Sequence, residues 1–502
     1  MTASRPLPSW LFWLLLGISF FFATTLLRSN EIQFSSDIAR DFHLLREVDE
    51  KKFILIGPRS SVGGLFHGPL WIYLNYPAYV LGGGNPVVVG WFWILLSGIF
   101  TWSCYRIAKS LFSELVGQLT AIMIALYMVY ITNGFFNPHG AMFMIPFFFY
   151  TAIKYAQTRN VLYLLAHVLA VGIIIQFQMA IGIPILMLTL IYHIYLCWRH
   201  KIVKHLLCFG LLVIPLSTFL LFDARHDHIL LKNAIRHIQA GNHAISFGSL
   251  VWDRVYNLTT GIEFLRSGGA FGNSIVFFTL MIFIYVEIRK RHHAMVYGTF
   301  LYFLVGFYAV SLINAYPLLY FYTFPIFPLA FIMFSSVTTS TFRYVGILAF
   351  FIVYVSNLMG ISQHLFIHMN NLGVEEASWQ TQSEVARSLY SQNDEEFGYF
   401  VYAPDTLAYG SKYALLYQGR LSPKKAHSFK KMPVTYLVIA PPPKNDPLMS
   451  DAWWKENKLH LSKKPESTTT FKSGYRLEKY SLTPEEIAIP FDPQIDPGIF
   501  FR

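Results

Sequence analysis

Residues 28–84 read RSNEIQFSSDIARDFHLLREVDEKKFILIGPRSSVGGLFHGPLWIYLNYPAYVLGGG, a polar loop between segments almost free of charge. The loop holds Asp37, Arg40, Asp41, Arg46, Glu47, Arg59 and His67. In a bilayer protein, ionisable groups collect where there is water, because a charge held in hydrocarbon is costly. This loop is therefore the expected place for chemistry.

The class follows from composition. Hydrophobic residues make up 54% and charged residues only 13%, against roughly 25% charged in a soluble domain. Apolar runs long enough to cross a hydrocarbon core of about 30 Å recur through the first 362 residues. Expected spans are 9–27, 86–106, 115–134, 138–156, 160–177, 179–197, 204–222, 271–288, 294–313, 320–338 and 342–362, eleven in all. The stretch from Trp10 to Leu27 is too long for a signal-peptide core and no A-x-A site follows it, so it reads as the first span. Cys104, Cys197 and Cys208 lie in or beside spans and suggest no disulfide framework.

The net charge of +11 is a topology signal and not a nucleic-acid footprint. With the N-terminus inside, Arg106, Lys109, Lys154, Arg159, Arg199, Lys201, Lys204, Arg289, Lys290, Arg291 and Arg343 all fall in cytoplasmic connections, as the positive-inside rule requires. Counting 69–84 as a further span would send them outward. That segment, with Pro69, Pro77 and three closing glycines, is expected to be interfacial or re-entrant. The outer face then carries the 28–85 loop, a second loop at 223–270, and everything after residue 362.

The expected architecture is an α-helical polytopic membrane domain over 1–362 and a small α/β extracytoplasmic domain over 363–502. In the first loop, Ser35 or Ser36 can cap a helix whose first turn holds Asp37. Ile38, Phe42 and Leu45 follow helical spacing and are expected on the membrane surface. Asp37 and Asp41 are four apart and share a face. In the tail, 399–402 and 434–439 read as strands, and Asp405 is a plausible N-cap for a helix from Thr406 to about Leu416. No nucleotide-binding glycine motif occurs.

The span interiors lack Asp, Glu, Lys and Arg, which argues against an ion-coupled transporter. His167 and His193 sit within spans, where a hydrogen-bonded packing role is the plainer reading. Asp37 and Asp41 could act as base and helper or hold a divalent cation; a solvated helix face is the alternative. Arg59 and His67 could bind a phosphate or simply meet lipid headgroups. Asp223-Ala224-Arg225-His226-Asp227-His228 opens the second outer loop and could face an anionic group. His364 and His368 are four apart without a third ligand, so no zinc site is assigned. Asn257-Leu258-Thr259 is a glycosylation sequon.

Taken together, these residues resemble the polytopic glycosyltransferases of the GT-C superfamily, which include bacterial aminoarabinose transferases and protein mannosyltransferases. The resemblance rests on Asp37-Ile38-Ala39-Arg40-Asp41, Arg46-Glu47 and His67-Gly68-Pro69-Leu70-Trp71, with Asn137-Pro138-His139, Gln176, Gln178 and Asp223-Ala224-Arg225-His226 further along. Two departures stand out. Ile38 follows Asp37 where many relatives have a second acid, and His67-Gly68 occupies a region where some carry Lys. The resemblance implies a polyprenyl-phosphate sugar donor, an acceptor that is lipid, glycan or protein, and inversion at the anomeric carbon. It places Asp37 and Asp41 in catalysis and Arg40, Arg59, His67, Asn137, His139, Gln176, Gln178, Arg225 and His226 around the substrates. It also implies a multi-pass plasma-membrane protein in contact with membrane lipids. A flippase of lipid-linked glycans and a non-catalytic scaffold are the rival readings.

Overall fold

The computed structural model of the 502-residue chain describes residues 5–239, 246–265, 269–313, 316–340, 342–405, 407–442 and 451–495. The chain forms two compact units. The first comprises Met1–Thr24, Phe53–Leu74 and Trp93–His364, and the second Thr25–Lys52, Asn75–Phe92 and Leu365–Arg502.

The first unit is a bundle of apolar helices. Among the described residues, seven helices are long and apolar enough to cross a membrane: Pro86–Leu111, Glu114–Ile131, Met179–Arg199, Val203–Arg225, Gly269–Arg289, Ala294–Ser311 and Arg343–Asn370. Ser9–Ala23, Val161–Phe177 and Ile326–Thr339 are shorter apolar helices, and Asn137–Thr158 adds a further 22 residues. Each span expected from sequence falls on one of these. The protein is a multi-pass helical membrane protein.

Glu114–Ile131 is the central staff of the bundle. It is apolar all round, with every residue from Leu115 to Val129 buried, as expected of a helix enclosed by others. Ser9–Ala23 and Ile326–Ser336 pack against it. The span histidines are hydrogen-bonded within the bundle: His167 Nδ1 donates to the Phe148 carbonyl at 3.0 Å, its Nε2 lies 3.3 Å from Thr189 Oγ1, and His193 Nδ1 donates to the Thr189 carbonyl at 2.8 Å. The three cysteines are free thiols.

The segment at 69–84 is a helix over Leu70–Leu81, 12 residues long. At about 1.5 Å per residue it reaches roughly 18 Å, short of a crossing. Gly83 and Gly84 then turn the chain with φ of 57° and 85°, a region costly for residues with a Cβ.

The second unit is built on a five-stranded mixed sheet in the order β2-β1-β3-β5-β4. The strands are β1 Glu396–Tyr402, β2 Lys425–Ser428, β3 Val434–Ile439, β4 Ser467–Thr470 and β5 Arg476–Ser481. β1 runs parallel to β2 and β3, while β5 is antiparallel to both β3 and β4. β1 is buried from Phe397 to Val401, the continuous burial typical of a central parallel strand. The helix expected after Asp405 begins later, as Tyr409–Leu421. Asp405 Oδ1 instead accepts from Ala408 N–H at 2.9 Å, and that turn delays the helix; Thr406 lies outside the described residues.

Candidate active site

The acid-bearing helix spans Ser36–Lys51 and belongs to the second unit. Ser35 stands at its N-cap without a side-chain cap bond, and Ser36 Oγ donates to Asp405 Oδ2 at 3.4 Å. Its apolar face is covered by protein and not laid on a membrane surface: Ile38, Phe42 and Leu45 are each no more than 2% exposed. The covering surface is the Tyr409–Leu421 helix. The Phe42 ring lies 5.3 Å from that of Tyr413, and His43 Nε2 donates to the Tyr409 carbonyl at 3.0 Å. Sequence periodicity gave the stripe but not its partner.

This packing fixes the polar face. Arg40 Nη1 reaches Asp37 Oδ1 at 2.7 Å, and Arg40 Nη2 reaches Asp41 Oδ1 at 3.0 Å. The side chains differ sharply in exposure: 11% for Arg40, 7% for Asp41 and 53% for Asp37. Burial works against the Arg40 charge, but Asp41 and Asp37 outweigh it and hold the guanidinium more firmly protonated than usual. The arrangement is a buried ion pair presenting one open carboxylate. Arg40 stands between the two acids where a shared cation would sit, so the pair as arranged does not fit a divalent ion. Among the described residues, no group of three or more metal-ligating side chains forms.

Two residues of this region escaped the sequence reading. His43 is pushed down to about 3 by burial, against a hydrogen bond to Tyr409 that raises it, and so stays neutral. Glu31 is pushed up to about 7 by burial, although its oxygens accept from Ser378 Oγ at 2.6 Å and from the Trp379 N–H at 3.0 Å. Glu31 thereby caps the Trp379–Ser391 helix from a distant part of the chain. No local pattern signals such a pairing.

In the first unit, residues 57–68 fold back as a hairpin. Gly57 N–H donates to the His67 carbonyl and His67 N–H to the Pro58 carbonyl, both at 2.8 Å. Gly68 N–H then donates to the Gln176 carbonyl at 2.8 Å. His67 Nδ1 accepts from the Met179 N–H at 3.4 Å, and Gln176 Nε2 donates to Thr218 Oγ1 at 2.9 Å. Asn137 Nδ2 donates to the Phe177 carbonyl at 2.9 Å. Four candidates, His67, Asn137, Gln176 and Gln178, thus gather at the break between Val161–Phe177 and Met179–Arg199. The Gln178 Oε1 is buried there with no hydrogen-bond partner among the described residues. His139 sits two residues into the Asn137–Thr158 helix, wedged between the rings of Phe135 and Phe324 at 4.8 Å each, and its Nε2 is likewise buried without a hydrogen-bond partner among the described residues. Buried polar atoms without partners are few in native proteins, and each calls for an explanation.

Arg59 and Arg225 are exposed, and among the described residues neither pairs with a carboxylate. The His226 ring stacks on Phe222 at 4.1 Å, and Phe222 meets Phe66 of the hairpin at 5.9 Å. Asp223 is structural: its Oδ1 accepts from the Leu230 N–H at 2.7 Å. The sequence reading also missed Arg254, a buried residue that clamps the second loop through Ser311 Oγ at 2.9 Å and the Tyr316 carbonyl at 2.8 Å. The Asn257 amide of the sequon donates to the Asp253 carbonyl at 2.8 Å.

No protein-family model matches the sequence, and no curated protein matches it. Among solved structures, ArnT from Cupriavidus metallidurans bound to undecaprenyl phosphate is similar at a TM-score of 0.59 and 11% identity, covering 96% of this chain and 98% of that one. The same protein in the apo state is similar at 0.59 and 12% identity, covering 93% and 97%. At this identity the likeness concerns the fold, and it extends along nearly the whole of both chains. The chain shares the fold of these structures, a polytopic helical membrane domain with a small C-terminal mixed sheet.

Proposed function

We propose that this protein is an integral membrane glycosyltransferase that moves a sugar from a polyprenyl-phosphate donor to a lipid, glycan or protein acceptor. The observation that carries the reading is the asymmetric acid pair. Asp37 is open and ready to take a proton, while Asp41 is buried and spends its charge on Arg40, which in turn orients Asp37. The neighbour holding undecaprenyl phosphate supports the donor class.

In the proposed reaction the acceptor hydroxyl or amine loses its proton to Asp37 as it attacks the anomeric carbon. The bond from that carbon to the phosphate oxygen breaks, and polyprenyl phosphate leaves. One displacement inverts the configuration. Arg59 and Arg225, with His67 and His226, stabilise the charge that grows on the leaving phosphate. Asn137, His139, Gln176 and Gln178 supply polar contacts to the donor head, for which the unpartnered His139 Nε2 and Gln178 Oε1 are suited. A lipid-borne donor needs no nucleotide-binding domain.

The orientation belongs to the same reading: a plasma-membrane protein with a cytoplasmic N-terminus, residues 1–362 as the membrane part and 363–502 as the extracytoplasmic part. The experiment is mass spectrometry of lipid-linked sugars in cells lacking the protein, complemented with wild type or Asp37→Asn. A polyprenyl-phosphate sugar should accumulate in the deletion and persist with Asp37→Asn. Clearance by the variant equal to wild type would remove Asp37 from the mechanism.

A further inference from the structure

The opposite end of the first unit holds a cavity of about 260 Å³ lined by Ser110, Lys154, Gln157, Arg291, His293 and Met295 together with apolar neighbours. It lies where the ends of Pro86–Leu111 and Asn137–Thr158 meet the start of Ala294–Ser311. Asn137 touches Phe177 beside the hairpin. The helix it begins is 22 residues long, so at about 1.5 Å per residue Gln157 stands roughly 30 Å away. The three connections that build the cavity are also those that alternate crossing assigns to one side of the bilayer.

The charge around the cavity is unbalanced. Lys109 is matched by Glu114 at 2.5 Å, and Glu287 is engaged by His292 at 2.8 Å. Lys154 and Arg291 have no acidic partner among the described residues, and no acid lines the cavity. The His293 ring packs on Phe112 at 4.9 Å and on His292 at 4.4 Å; burial, then His292, pushes its pKa down, so it offers a neutral ring. The first turn of Ala294–Ser311 adds the positive end of an 18-residue helix. Met295 is 44% exposed at the rim, and Leu111 and Val296 complete an apolar side. Lys154, which lies over the Tyr150 ring at 5.5 Å, and Arg291 are two cations without a carboxylate partner among the described residues. With hydroxyl and amide donors and an apolar flank at the ends of membrane helices, they match a phosphate that carries acyl chains.

We propose that this cavity binds the phosphate of an anionic membrane phospholipid. A soluble phosphate has the same recognising chemistry, and the apolar flank favours the lipid. The test follows the thermal unfolding midpoint of the purified full-length protein in detergent as phosphatidylglycerol, phosphatidylcholine or inorganic phosphate is added. Phosphatidylglycerol should raise the midpoint saturably, and the other two should not. The Lys154→Gln/Arg291→Gln double variant should bind phosphatidylglycerol roughly thirtyfold more weakly, from about 1 kcal/mol per cation. Arg291→Lys should stay within a few-fold of wild type. Gln157→Glu keeps both cations and should weaken lipid binding with the lipid-free midpoint unmoved, which guards against a double variant that misfolds. Equal protection by inorganic phosphate would overturn the lipid, and wild-type affinity in both the double variant and Gln157→Glu would overturn the site.

Discussion

Asp37 Oδ1 lies 2.7 Å from Arg40 Nη1, yet 53% of the Asp37 side chain remains exposed, whereas Arg40 is only 11% exposed. The guanidinium fixes the direction of an open carboxylate. The unequal exposure separates the roles of the two acids and makes them testable one at a time.

Asp37→Asn should lower the transfer rate by about 10²–10⁴-fold, the usual worth of a positioned proton acceptor. The melting temperature should stay near wild type, since an exposed amide leaves the Arg40–Asp41 pair intact. Initial rates with a lipid-linked sugar, read beside a thermal melt, check both halves.

Asp41→Asn should fail differently. Removing one partner of a largely buried pair leaves the Arg40 charge short of compensation, at a cost of about 3 kcal/mol. The second unit should melt earlier, and limited proteolysis should cut more readily around the Ser36–Lys51 helix. A stable, fully folded Asp41→Asn protein would show that Asp37 alone satisfies Arg40.

Arg225→Ala and Arg59→Ala should raise the apparent donor KM several-fold without moving the melting temperature, because both side chains are exposed and neither pairs with a carboxylate among the described residues. Rising ionic strength should mimic the loss in wild type, since exposed charges are screened. An unchanged donor KM in both variants would place the phosphate elsewhere.

Glu31 gives a pH dependence with a defined sign. Its folded-state pKa is raised from 4.5 to about 7 by burial, so between those values the folded chain binds more protons than the unfolded one. The contribution is present below about pH 4.5 and is lost as pH rises through about 7, at most about 3 kcal/mol. Thermal melts across that window should show stability falling with pH, and Glu31→Gln should flatten the slope.

Gly68→Ala tests the hairpin. A Cβ there would stand 1.9 Å from Gln176 Oε1 and 2.9 Å from the Gln176 carbonyl oxygen. The strand must shift, at about 1–3 kcal/mol. Hydrogen exchange should quicken at Gly57 and His67, whose N–H groups hold the hairpin together.

The membrane part was legible because lipid imposes one simple demand, long runs without charge, and each expected span meets a helix. The acid helix was legible from Ser35, Asp37 and the spacing of Ile38, Phe42 and Leu45. Its partner was not: period 3.6 says that a face is apolar and nothing about whether lipid, water or Tyr413 covers it. Glu31 was invisible for a related reason, since its bond to Ser378 spans 347 residues. The late start of the Tyr409–Leu421 helix turned on one side-chain bond from Asp405 to Ala408, a choice between cap and turn that local sequence leaves even.

The surface that clasps the acid-bearing helix is made by residues translated long after it; the His43–Tyr409 contact alone spans 366 positions. Asp37 therefore leaves the ribosome well before the chain can hold it in place. On the proposed function, a chain stopped after residue 362 should insert its membrane helices yet transfer no sugar.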